Sequence, residues 1–234
     1  MSNKNIQILK EPPIDCDLNF KIIIIGDSFV GKSCLSLRGT KGTFNDAEYS
    51  PTIGFEFLTF FIKIDDTIIK LQIWDTCGQE VYRSLIKSFY HNSSLGILVY
   101  SINNKNSFEN LDSWLNEIKN EGNPDINIFL VGNKVDLESQ RQVSKEMGET
   151  FCKNNKIKFF LETSAKTGFN AENVFIEASK LLYQLHLEHK DRISRATSMN
   201  NEFGRNTEGI SLENNNNDKL EEESEVRPRK KKCC

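Results

Sequence analysis

GDSFVGKS, residues 26–33, sets two glycines five positions apart and follows them with Lys-Ser. That is the spacing of a loop whose main-chain N–H groups close around a phosphate. It follows FKIIII (20–25), an apolar run suited to a strand buried on both faces, and it opens KSCLSLR, the start of a helix. Strand, loop and helix in that order are the context the pattern requires. Gly26, Asp27, Ser28, Phe29, Val30, Gly31, Lys32, Ser33 and Cys34 are therefore candidate nucleotide-binding residues. The loop amides and the helix N-terminus form an anion nest, Lys32 reaches the β- and γ-phosphates, and the Ser33 hydroxyl ligates Mg²⁺. The bland alternative is a strand–turn–helix corner that uses its glycines for tightness. Phe29 is the awkward residue, because an anion nest wants φ > 0, a costly state for phenylalanine. The reading expects Phe29 to keep φ < 0 with its ring turned outward.

The bulk composition bounds the rest. A chain of 234 residues, 38% apolar with 16 Phe, supplies one substantial core. A net charge of −3 gives no global attraction to nucleic acid, and nucleic acid is not expected as a partner. No stretch approaches the ~18–20 apolar residues of a spanning helix. The N-terminus has neither the apolar run of a signal peptide nor a glycine after Met1 for myristoylation. Cys16, Cys34, Cys77 and Cys152 are scattered singly, without zinc-like spacing, and read as reduced thiols.

Composition shifts twice. Residues 1–17 are polar, broken by Pro12 and Pro13, and read as a flexible lead. From about residue 189 to 234 the pattern fades into polar, Asn-rich and charged sequence that could not repay the entropy of ordering. Between them, 18–188 alternates strands and helices. After the opening strand come β-rich runs at 55–64 and 68–74, joined across Asp65 and Asp66 as a hairpin. Strand 95–101 precedes a helix at 107–120, with Phe108, Leu111, Leu115 and Ile118 on one face. Strand 128–134, helix 144–153, strand 158–164 and helix 171–187 complete the series. This predicts an α/β fold, doubly wound, with a mostly parallel sheet and one antiparallel edge strand. Ligands in such folds bind beyond the carboxyl ends of the strands.

Three more motifs fall at strand ends. In DTCGQE (75–80), Asp75 is suited to hold Mg²⁺ through water, Gly78 to present its amide to a γ-phosphate, and Gln79 to orient an attacking water. In NKVD (133–136), the acceptor-only Asp136 suits the N1 and N2 donors of guanine. Asn133 either fixes the loop or meets the O6 side, and the Lys134 stem lies along the base plane. Ser164, Ala165 and Lys166 supply another loop aimed at the base. Alone, DTCGQE and NKVD read first as turns. Four motifs in this order do not.

These residues resemble a Ras-superfamily small GTPase, most like the Rab family. The resemblance spans about 18–188 and rests on GDSFVGKS, YSPTIGFEF (49–57), LQIWDTCGQE (71–80), VGNKVD (131–136) and ETSAK (162–166). It implies a six-stranded, five-helix P-loop G domain that binds GTP or GDP with Mg and hydrolyses GTP slowly, dependent on an activating protein. It implies Gln79 as the catalytic residue, Ser33, Thr52 and Asp75 at the metal, and Phe44 packed across the guanine. Ile53, Phe57, Trp74 and Phe89 would face effectors, though large apolar residues are as often core. Cys233 and Cys234, adjacent at an unstructured end, would carry geranylgeranyl groups. One lipid gives marginal anchoring and two signals give stable anchoring, with RPRKKK adding five positive charges, about 1 kcal/mol each at an anionic leaflet. A nuclear-localisation or solubility role is the alternative for RPRKKK. The implied partners are an exchange factor, a GTPase-activating protein, prenylation and membrane-extraction chaperones, effectors, and a membrane surface reached through lipid and basic tail. The implied place is the cytoplasmic face of an intracellular membrane, with a cytosolic pool when extracted, in vesicle traffic.

The chain departs from the family pattern at Phe29, at Cys77 in place of alanine, at Val81 in place of a charged residue, and in one extra residue between Phe44 and Thr52. These departures support a second reading, a scaffold that binds guanine nucleotide with little useful hydrolysis. Retained Gln79, Thr52 and Lys32 oppose it. A small-metabolite kinase is opposed by NKVD and the terminal cysteines.

Overall fold

The computed structural model describes residues 5–44, 52, 54–77, 89–123 and 126–205, the last ten of these as backbone only. The strands are β1 (Ile6–Leu9), β2 (Leu18–Ile25), β3 (Phe55–Ile64), β4 (Thr67–Thr76), β5 (Leu95–Ser101), β6 (Asn127–Asn133) and β7 (Phe159–Glu162). The helices described are α1 (Lys32–Lys41), α2 (Lys105–Glu109), α3 (Leu111–Glu121), α4 (Lys145–Asn155) and α5 (Ala171–Arg205), with a 3₁₀ turn at Val135–Gln140. Among the described residues, no helix is long and apolar enough to cross a membrane.

β2 organises the sheet. Ile22, Ile23, Ile24 and Ile25 are all fully buried, and the pleat sends alternate ones to opposite faces. Ile22 and Ile24 join Leu35, Phe60, Ile73, Phe129 and Phe175 in a core that contains residues of α1 and α5. Ile23 and Ile25 join Leu98, Tyr100, Trp114, Ile118 and Leu130 in a second core with residues of α3. A strand apolar on both faces demands cover on both, which is why helices flank this sheet on each side. The order is β1-β3-β4-β2-β5-β6-β7. β4, β2, β5, β6 and β7 run parallel, while β3 is antiparallel to both β4 and β1.

The sheet thus has seven strands where six were expected, and β3 is no longer its edge. The added strand comes from the segment read as a flexible lead. Ile6 pairs with Ile64 and Ile8 with Ile62, and both isoleucines pack on the first core. Asn5 and Asp65 tie the strand's start to the β3–β4 turn, Asn5 N–H donating to the Asp65 carboxylate at 3.0 Å and Asp65 N–H to the Asn5 carbonyl at 2.8 Å. A four-residue alternation inside a polar stretch was too short to stand out.

Two helices also differ from expectation. The single helix expected over 107–120 is two segments meeting at Asn110. Asn104 caps the first through a bond from Ser107 N–H at 3.2 Å. The last helix was expected to end at 187, yet it runs to Arg205. The chain divides into one unit at Met1–Glu188 and another at His189–Cys234. In the second, residues 189–195 are helical and exposed, so their helicity rests on local propensity with no Gly or Pro to stop it before Gly204.

Removing residues 1–10 takes two half-buried isoleucines off the core, and we expect a loss of about 2 kcal/mol in a urea melt. An unchanged midpoint would return this segment to the status of a loose lead.

Candidate nucleotide-binding site

The loop after β2 is built from left-handed backbone. Gly26 has φ 140° and Gly31 φ 91°. A Cβ at Gly26 would run into the Val99 carbonyl, and one at Gly31 would lie 2.6 Å from the Asn133 amide nitrogen. Both glycines are therefore required. Phe29 also sits at φ 63°, which corrects the expectation of negative φ. Such a conformation costs an L-residue about 1–2 kcal/mol. The other half of the expectation holds: the side chain is 68% exposed and so does not fill the nest. The Phe29 carbonyl accepts a 2.6 Å bond from Lys134 Nζ, which braces the strained residue. α1 then begins at Lys32, with Gly31 at its N-cap, no side-chain cap and no acid in its first turn, leaving its amino end for an anion.

Lys32 is 5% exposed and folds back over its own loop, donating to the Gly26 and Asp27 carbonyls at 2.8 Å each. Burial pulls its pKa down to about 8, against the opposing charges of Asp75 and Asp27. Asp75, at the end of β4, is fully buried. Neither of its oxygens meets hydrogen-bond geometry with a described residue, although the Ser33 hydroxyl lies close enough to act on its charge. Burial pushes its pKa up to about 6, resisted by the Ser33 hydroxyl and the Lys32 charge. Ser33 Oγ lies 2.7 Å from Thr52 Oγ1. The three residues assigned to a metal thus gather beside the phosphate loop. An unpartnered buried carboxylate with two hydroxyls suits a hard divalent cation, and the fit is good.

Asn133 joins the loops. Its amide nitrogen donates to the Val30 carbonyl at 2.9 Å and to that of Gly31 at 3.4 Å. Its oxygen accepts from the Thr163 hydroxyl at 3.1 Å and Ala165 N–H at 3.2 Å. Of its two expected roles, the structure shows the loop-fixing one. Asp136 is exposed and accepts from the Ser164 hydroxyl at 2.5 Å. Arg141 braces the same rim, bonding Glu138 at 2.7 Å and Glu162 at 2.6 Å. Lys166 is exposed. Val30 lies in the first core, and Cys34 and Phe44 pack against it half-buried. Ser28 lies half-buried in the loop.

Asp27 is expected in the nest through its main-chain amide, and its carboxylate has partners of its own. Its side chain is engaged away from the nest amides: one oxygen accepts from Trp114 Nε1 and the other from Asn110 Nδ2, both at 2.7 Å. Sequence reasoning missed both donors. The signal available was Trp114 itself, on the buried stripe of α3, whose indole N–H needs an acceptor.

Trp74 lies at the centre of an aromatic group. Its ring is 5.3 Å from Phe57, 5.2 Å from Phe55 and 4.8 Å from Phe89, with Lys21 Nζ 5.3 Å above it. Phe57 is 45% exposed and Phe55 43%, so these two rings are surface and not core. Cys77 is buried, and its N–H donates to the Gly54 carbonyl at 3.0 Å. Gly78, Gln79, Val81, Ile53, Cys233 and Cys234 lie outside the described residues.

Compared with known proteins, the chain matches the family model described as Ras family over residues 21–184.

Two outcomes test this geometry. Phe29→Gly exchanges ~1–2 kcal/mol of left-handed strain for ~0.5–1 kcal/mol of added freedom in the unfolded chain. We expect stability equal to the parent or up to about 1.5 kcal/mol higher by denaturant melt; a clear loss would contradict the strain. Asp75 protonates more readily folded than unfolded. In excess EDTA, its contribution is therefore complete below about pH 4, the unfolded value, and disappears as pH rises through about 6. Urea melts should show Asp75→Asn more stable than the parent at pH 7.5, with that gap closing toward pH 4. A constant gap would contradict the assignment.

Proposed function

The chain belongs to the Ras family, and from that premise we propose a Rab-type GTPase switch, lipid-anchored to the cytoplasmic face of an intracellular membrane. Members of the family bind GTP and GDP with Mg²⁺, hydrolyse GTP, and meet exchange factors, activating proteins and effectors. The observation that carries the nucleotide reading is the buried Asn133 amide. It joins the phosphate loop to the loop of Ser164 and Ala165, and Ser164 in turn holds Asp136. One ligand with a polyphosphate at one end and a donor-bearing base at the other satisfies all of these loops.

Loop amides and the α1 terminus would bind the phosphates, and Lys32 would exchange its two carbonyl acceptors for phosphate oxygens. Ser33, Thr52 and Asp75 would hold Mg²⁺, which supplies charge neutralisation at the phosphates when bound. Gln79 would orient the attacking water. No arginine in these motifs is placed to serve as a finger, so a partner supplying one would speed hydrolysis. The Rab assignment leans on the exposed Phe57 beside Trp74 and Phe89, and the membrane assignment on RPRKKK with Cys233 and Cys234. The partners would include prenylation and membrane-extraction chaperones, and the setting vesicle traffic. The strained, exposed Phe29 is the observation favouring the scaffold reading.

Purified full-length chain should carry guanine nucleotide, identified by chromatography of the released ligand; ATP or nothing would sink the proposal. Gln79→Leu should slow GTP turnover roughly tenfold or more, whereas equal rates would favour the scaffold. Phe29→Gly should alter the GDP release rate; an unchanged rate would remove Phe29 from the control of exchange. In its native cell, the chain with both Cys233→Ser and Cys234→Ser should leave the membrane fraction for the cytosol.

A further inference from the structure

We infer that Asp27, Asn110 and Trp114 form a clamp that holds the phosphate loop to the α2–α3 junction and thereby sets how long nucleotide is retained. This rests on the nucleotide reading above. An acid in an anion-binding loop is unexpected, since its charge opposes the ligand it helps to enclose. Here both carboxylate oxygens are occupied by neutral donors 83 and 87 positions away, at 2.7 Å each. The acid's own main-chain carbonyl accepts from Lys32 Nζ, so its side chain and the phosphate-binding lysine share one residue.

The donors are arranged for this purpose. Asn110 precedes α3 at the N-cap position, where asparagine usually bonds the first-turn amides, yet it makes no cap bond. Its amide goes to Asp27 instead. Trp114 is 1% exposed, and its donor-only indole nitrogen, buried in that core, meets the other oxygen. Asp27 and Trp114 thus fix each other: the carboxylate satisfies a buried N–H, and the N–H keeps the carboxylate engaged. Releasing one donor frees a carboxylate beside the phosphates without removing its charge. Asp27 is a positioning residue acting through the loop.

The test uses the full chain and the release of N-methylanthraniloyl-GDP into excess GDP. Asn110 is exposed, its side chain makes no cap bond, and its cap contacts to α2 are main-chain ones that alanine keeps, so Asn110→Ala spares the fold. Asn110→Ala should release the probe about threefold to tenfold faster, and this effect should vanish in an Asp27→Ala background. An Asn110 that merely stabilised its helix would act equally in both backgrounds. Spectroscopy gives a second readout. In Trp74→Phe, Trp114 is the sole tryptophan, and its emission should shift when Asp27→Asn is added. Release within 1.5-fold of the parent, equal effects in both backgrounds, or an unshifted Trp114 emission would each overturn the clamp. A parent chain that retains no guanine nucleotide defeats the functional reading instead, and the emission comparison still decides whether the clamp exists.

Discussion

The amide of Asn133 is buried between two stretches of main chain that approach it from different strands, and its four hydrogen bonds tie the phosphate loop to the loop of Ser164 and Ala165. Its nitrogen holds the carbonyls of Val30 and Gly31, and its oxygen holds Thr163 and Ala165. Four partners fill the capacity of one primary amide. Because it ends β6, its position is set by the parallel register of β5 and β6, in which Ser101 faces Asn133. Sheet geometry is thus converted into loop geometry through a single side chain. Gly31 completes the arrangement, since any larger residue would collide with that amide.

Around this fixed point the site is locally unfavourable. Asp75 is buried without a partner, Lys32 is buried with its pKa depressed, and Phe29 occupies backbone suited to glycine. Each is a burden on the isolated fold, and a polyanion with a cation would relieve the first two. The isoleucines of β2 and the two cores beside them supply the stability against which these burdens are held. Functional sites commonly concentrate such strain.

Much of this was legible beforehand, and the boundary of legibility is physical. The four isoleucines of β2 announced a strand covered on both faces. The motifs named their own residues because phosphate, metal and base each demand particular atoms at particular spacings. What escaped depended on partners distant in sequence. Asp27 was assigned to the ligand because its loop was, and nothing in its neighbourhood pointed to Asn110 or Trp114. The sign of φ at Phe29 follows from the closed shape of the loop, which overrides the preference of the residue. Ile6 and Ile8 form a strand because β3 offers an edge, a fact absent from the four residues themselves.

That edge has a consequence for solubility. FEFLTFFIKI (55–64) is long, apolar and β-prone, the kind of strand that recruits copies of itself when its backbone is left open. β1 covers it only at residues 61–64. The new edge is four residues long and is followed at once by Lys10, Glu11 and two prolines, whose missing N–H groups cannot extend a ladder. A short N-terminal strand therefore works as a gatekeeper against edge-to-edge aggregation. Among the described residues no strand pairs with 55–60 on that side, where two exposed phenylalanines lie.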